Sequence, residues 1–311
     1  MPAPIVLFAY NRPEHTRKTV EALQRNAPAG DSDLFIFSDA PRDESAKEAV
    51  GEVRSYIKNI TGFKNISIIE RDKNFGLADS IIDGVTRMAD KYGKIIVLED
   101  DIVTSPAFLK YMNDALDLYE NDERVMHVSG YFPPIKNDLP DTFFYNQTSC
   151  WGWGTWARAW ENYNGNAGSL IEEVKKRNQA KKLDIDGSIG FMSTLRANAA
   201  GEIKTWAVKW HASVFLAGGL CLHPNKSLVL NIGHDGTGIN SEATNAYGSD
   251  FARTAVKLER QELRESPEAR RLVSAFNLSL KPSIITRIKN KIKKYGNNKP
   301  DYRIIKRQIG R

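Results

Sequence analysis

The feature that most constrains this chain is a repeat of short apolar runs, "IVLFA", "LFIFS", "ISIIE", "IIVLE" and "VMHVS", separated by stretches that read as helices. Runs of that length, rich in β-branched residues and without a polar alternate face, suit strands buried on both sides. Their alternation with helices implies βαβ units and a mostly parallel sheet covered by helices, an α/β fold. Local signals agree with this. Pro13 stands near the start of the first helical stretch, and Ser105 with Pro106 reads as a cap and first turn for "AFLKYMNDALDLYEN".

An open α/β sheet binds its ligands beyond the carboxyl ends of its strands. Here those exits read "AYNR" (9–12), "SDAPR" (38–42), "ERDKNFG" (70–76) and "LEDD" (98–101). None carries G-x-G-x-x-G or a P-loop, which argues against nicotinamide chemistry and simple nucleotide hydrolysis. The consecutive acids Glu99, Asp100 and Asp101 repel one another unless a positive partner is expected. A hard cation such as Mn²⁺ or Mg²⁺ takes oxygen ligands and commonly shares them with phosphates. Arg12, Arg71 and Lys73 on neighbouring exits are placed to meet the same anion, and Lys209 is a further candidate. The set suits transfer of a group away from a nucleoside diphosphate, because a metal neutralises charge developing on the leaving group.

All six tryptophans fall between Trp151 and Trp210. In "WGWGTWARAW" aromatics alternate with glycine and then continue at helical spacing through Trp153, Trp156 and Trp160. Indole faces suit the C–H faces of sugars, and glycines permit close approach of backbone. Trp151, Gly152, Trp153 and Gly154 are therefore expected to meet an acceptor, while Trp156, Trp160 and Trp206 are expected in the core.

Residues 4 to about 245 resemble the bacterial surface-polysaccharide glycosyltransferases of GT-A fold, relatives of the eukaryotic N-acetylglucosaminyltransferase that starts complex N-glycans. The likeness is carried by "IVLFAYNRPEHTRKTVEAL", "NFGLADSIIDGV", "IIVLEDDIVTSPAFLKYMNDAL", "CWGWGTWARAW" and "LHPNKSLVLNIGHDGTG". It implies that "LEDD" is the Asp-x-Asp-type motif, with Asp101 the direct metal ligand and Glu99 and Asp100 on the ribose or the metal's waters. It also implies that Ala9, Asn11 and Arg12 receive base and phosphates, that Asp39 meets base or ribose, and that Asn74 lies in the same donor site. His234 corresponds to the histidine that completes the metal shell in many such enzymes. One departure matters. The carboxylate that acts as general base in the related enzymes falls at Ala207 here. Inverting transfer needs a base, so Asp235, Glu161 and Asp186 become candidates; a retaining reaction or an inactive relative are the other outcomes.

The resemblance implies a nucleotide-sugar donor, most simply a UDP-sugar, and a glycan or glycolipid acceptor. A sugar-nucleotide pyrophosphorylase is a competing reading, although "AYNRPEHTRK" lacks the glycines of such a nucleotide loop. A glycan-binding relative without catalysis is another. The expected organisation is a donor half over 1–130, an acceptor half over 131–265, and a basic tail over 266–311. Residues 281–311 carry eleven Lys or Arg against one Asp, whereas the rest has 33 basic and 37 acidic side chains. "SIITRIKNKIKKYG" reads as a basic amphipathic helix for an anionic membrane surface, with solvent exposure or nucleic-acid binding as alternatives; no nucleic-acid partner is expected. Two cysteines, Cys150 and Cys221, make no disulfide framework, and the absence of a signal-like leader or a 20-residue apolar run leads to a cytoplasmic expectation.

Overall fold

A computed structural model describes residues 1–236, 246–248 and 251–281. The strands are β1 (Ile5–Ala9), β2 (Asp33–Ser38), β3 (Asn65–Glu70), β4 (Lys94–Glu99), β5 (Ile102–Thr104), β6 (Val125–Ser129), β7 (Thr142–Phe144), β8 (Trp153–Trp156), β9 (Leu220–Pro224) and β10 (Val229–Asn231). The helices are α1 (Pro13–Gln24), α2 (Lys47–Ile57), α3 (Leu77–Tyr92), α4 (Phe108–Leu118), α5 (Ala157–Trp160), α6 (Ala167–Lys176), α7 (Ala180–Leu183), α8 (Phe191–Ala199), α9 (Ala207–Leu216) and α10 (Pro267–Ser279).

The five apolar runs all become strands, and the protein is an α/β fold with a mostly parallel sheet flanked by helices. Eight strands lie in the order β3-β2-β1-β4-β8-β6-β9-β7. The first four are parallel; β8 runs antiparallel to both neighbours, β6 and β9 are parallel, and β7 closes the edge antiparallel. β1 is buried throughout, as its unbroken apolar run requires. The chain goes to one side of β1 for β2 and β3, then crosses to the other side for β4. That reversal opens a crevice between the exits of β1 and β4, the usual ligand position in such sheets. Phe8 pairs with Glu99 and Ala9 with Ser38, so the strand exits finish level with one another.

Helix α3 lies close to this crevice. A Cβ at its Gly84 would come within 2.6 Å of the Phe8 ring, so the missing side chain lets helix and sheet approach. A two-stranded ribbon, β5 with antiparallel β10, returns residues 231–234 to the exit of β4. Ser105 does not cap a helix directly. Its Oγ accepts from Ala107 N at 3.2 Å in a turn that precedes α4.

The tryptophan segment departs from expectation. Trp153–Trp156 is a strand rather than the start of a helix, and the helix begins only at Ala157. Trp153 is 1% exposed and stacks on Trp206 at 5.4 Å and on His127 at 5.3 Å. Trp160 and Trp210 complete the cluster at 4.9 Å from each other. Their N–H groups are satisfied inside: Trp160 donates to Thr86 Oγ1 at 2.9 Å and Trp210 to His127 Nδ1 at 3.2 Å. A second cluster joins α6, α8 and α9 through Leu170, Val174, Leu195 and Phe215. Helix α10, capped by Ser266, sets Ala269 and Val273 against Phe132, Phe143, Tyr145 and Ile185. This part of the expected tail is therefore packed on the body, and the basic stretch 283–296 lies outside the described residues.

Because Trp153 fills the centre of the core, Trp153→Ala is expected to cost about 3–5 kcal/mol in a urea titration. Trp151→Ala, at a cavity wall, is expected to cost much less.

Candidate active site

The crevice is a cavity of about 500 Å³. Of the residues anticipated for the donor, Ala9, Asn11, Arg12, Asp39, Asn74, Glu99 and Asp100 line it, together with Asp101, Trp151 and His234. The strand exits deliver the first seven, and the β5–β10 ribbon delivers the last. Ile232 N donates to the Asp101 carbonyl at 2.9 Å. A Cβ on Gly233 would lie 2.1 Å from Asp101 Oδ2, so only glycine lets this loop rest on the carboxylate.

A protein cation already sits in the acid cluster. Arg12 Nη2 donates to Asp100 Oδ1 at 2.5 Å and to Asp101 Oδ2 at 2.8 Å. Tyr10 N also points at Asp100 Oδ2, at 3.3 Å. Burial opposes the Arg12 charge, but the two carboxylates outweigh it and raise its pKa further. Glu99 has no such partner, and its carboxyl is pushed up to about 8 by burial first, then by Asp101 and Asp100. Burial likewise raises Asp100, with Arg12 pulling against it. Three acids thus share one guanidinium, a local excess of negative charge.

The donor set suits a hard divalent cation: carboxylate oxygens, plus the imidazole of His234, whose two nitrogens are buried without a hydrogen-bond partner among the described residues. Among the described residues no three such groups converge at coordinating distance. Arg12 holds the position that a cation would take.

Other anticipated residues stand elsewhere. Asp39 lines the cavity, but its oxygens accept from Ala40 N, Phe75 N and Gly76 N at 2.8–2.9 Å and from Asn74 Nδ2 at 3.2 Å. A carboxylate has about four acceptor positions, so Asp39 is committed to holding the turn that starts α3 rather than to a base or ribose. Arg71 is not at the anion site; it pairs with Asp83 and lies 4.2 Å over the Phe75 ring, bracing that turn. Lys73 is exposed and is not among the residues lining this cavity, and Lys209 is buried at the start of α9. The lysine that lines the cavity is Lys204, paired with Asp79 at 2.5 Å, and Arg42 lines it as well. Arg42 belongs to the "SDAPR" exit; no local signal marks Lys204.

Of the four residues expected to meet an acceptor, Trp151 lines the cavity and Gly152, Trp153 and Gly154 do not. Trp153 is core. Gly154 is inside β8, where a Cβ would meet the Ile95 carbonyl at 3.2 Å, and Gly152 faces Val229 and Phe108. These glycines serve packing, not ligand access. Of the candidate bases, Glu161 is exposed beyond α5 and is not among the residues lining this cavity. Asp186 has both oxygens on Arg270, at 2.8 and 3.1 Å. Asp235 follows His234 and meets His15 Nε2 at 3.1 Å.

Residues 1–143 match the GNT-I family. None of the curated proteins matches the chain in sequence. Solved structures with similarity include TarS of S. aureus (10% identity, TM-score 0.37, 53% of this chain and 30% of that one). The galactosyltransferase LgtC in complex with donor and acceptor sugar analogs is similar at 10% identity and TM-score 0.37, over 70% of this chain and 72% of that one. Mouse xyloside xylosyltransferase 1, apo form, is similar at 11% identity and TM-score 0.37, over 69% and 81%. The chain thus spans less than a third of the TarS chain.

A carboxyl whose folded pKa is raised stabilises the fold fully below its unfolded pKa and loses that contribution as pH climbs through the folded one. For Glu99 the window runs from 4.5 to about 8. Metal-free protein is therefore expected to lose stability across that range in thermal melts, and Glu99→Gln to flatten the loss.

Proposed function

We propose that this chain is a metal-dependent glycosyltransferase acting on a uridine diphosphate sugar, with a glycan or glycolipid acceptor in bacterial surface-polysaccharide synthesis. The observation that carries the reading is the convergence of Arg12, Glu99, Asp100, Asp101 and His234 in one cavity at the strand-order reversal. The GNT-I match over the residues that build those exits supports it.

In this reading Asp101 and His234 would hold Mn²⁺ or Mg²⁺, with Asp100 on the ribose or the metal's waters, and the metal would supply neutralisation of charge gathering on the departing diphosphate. Arg12 cannot stay bonded to both acids at that stage. Its guanidinium would pass to the phosphates, a bidentate partner to which arginine is well matched. Glu99, relieved of part of its charge repulsion, would ionise beside the ribose or the sugar. The acceptor oxygen attacks the anomeric carbon, the bond to the diphosphate oxygen breaks, and the acceptor proton goes to a base. Asp235, next to His234, remains our choice for that base and for inversion. A second reading, a relative that binds nucleotide without transferring sugar, is favoured by Ala207 standing where the related enzymes keep a carboxylate.

The basic stretch 281–311 supports a place at the anionic inner face of a membrane. No helix among the described residues is long and apolar enough to cross one.

Asp101→Asn is expected to remove the metal dependence of UDP binding in calorimetry and to cut donor turnover by on the order of 10²-fold or more. Wild-type protein that releases no UDP from any donor with Mn²⁺, yet binds UDP, would favour the second reading. Arg12→Gln is expected to bind Mn²⁺ about tenfold more tightly without nucleotide, because the competing guanidinium is gone, and to bind UDP more weakly. Full-length protein is expected to co-sediment with anionic liposomes and a 1–280 truncation to stay in solution; equal partitioning would remove the membrane role.

A further inference from the structure

A second cavity of about 300 Å³ lies beside the first, and Trp151 and His234 form part of the wall of both. The partition is aromatic: Trp151 packs edge-on against His234 at 5.3 Å and Tyr247 at 5.4 Å. Beyond it the walls are Tyr131, Phe132, Tyr145, Phe191 and Val208, with Val273, Phe276 and Asn277 contributed by α10. Ala207 is in this wall too.

The two cavities differ in charge. The first is lined by five carboxylates and by Arg12, Arg42 and Lys204. The second is lined by no Asp, Glu, Lys or Arg among the described residues. Burial lowers His211 and His223 to about 4, while the carbonyls of Tyr131 and Gln147, which His223 touches at 3.2 and 2.9 Å, pull it the other way.

We propose that this cavity seats the acceptor as an uncharged pyranoside, and that helix α10 takes part in recognising it. The proposal rests on the transferase reading and adds the acceptor's chemical class. Aromatic walls fit the C–H faces of a pyranose, while Gln147, Ser149 and Asn277 offer polar atoms to its hydroxyls. A carboxylate or phosphate on the acceptor would be desolvated there with no Lys or Arg among the described wall residues to answer it. The shared wall places an occupant of the second cavity next to whatever occupies the first.

The test uses full-length protein without donor and saturation-transfer NMR. The probes are methyl hexopyranosides and the matching methyl uronides. Neutral glycosides are expected to bind at least tenfold more tightly than uronides. Phe276→Trp is expected to weaken the neutral glycoside tenfold, and Asn277→Arg to shift preference toward the uronide. Both variants should keep the wild-type melting transition and bind UDP with Mn²⁺ as before. Uronides that bind wild type as well as neutral sugars, neutral binding untouched by both variants, or no pyranoside binding would overturn the proposal. A straight-chain alcohol that displaces the pyranoside would do so as well. Absence of UDP binding with pyranoside binding intact would instead contradict the transferase reading.

Discussion

The site depends on one electrostatic constraint: three carboxylates leave β4 where β1 ends, and a single guanidinium answers them. Arg12 joins Asp100 and Asp101 across 88 and 89 residues of chain. Without it, two buried like charges would face each other at the crevice, and removing one partner of such a pair is costly. The contact also fixes the β1 exit over the β4 exit, with Tyr10 N and Thr19 Oγ1 bonded to the same Asp100. Glu99 beside them is pushed up to about 8, by burial first and then by Asp101 and Asp100.

Around that point the fold divides the work. Asp39, with its oxygens filled by the 74–76 turn, and Arg71, bracing Phe75, set the start of α3 and so one wall of the cavity. The β5–β10 ribbon sets the opposite wall, and Gly233 makes its contact with Asp101 possible. The indole cluster around Trp153 anchors β8 and α9 behind the site, and Trp151 stands with His234 at the boundary between the two cavities.

The strand exits were legible because sheet position follows from apolar runs, and the runs here are unbroken. "AYNR" and "LEDD" meet at the crevice as their place in a βαβ series implies, and His234 arrives with them. What could not be read was pairing at long range. Nothing local shows that Arg12 bonds the acids while Arg71 turns to Asp83, or that Lys204 rather than Lys209 reaches the cavity. The helical spacing of Trp153, Trp156 and Trp160 gives way to a strand over Trp153–Trp156, where burial of every residue decides. Glycine was read as access when it marked close packing, a distinction that depends on neighbours such as Phe108 and Leu116.

The most direct measurement is a crystal structure of the protein soaked with UDP and Mn²⁺. The account predicts anomalous density for manganese at Asp101, and Arg12 released from the acid pair onto the diphosphate. Arg12 still bridging Asp100 and Asp101, with manganese absent and the nucleotide bound elsewhere or not at all, would contradict it.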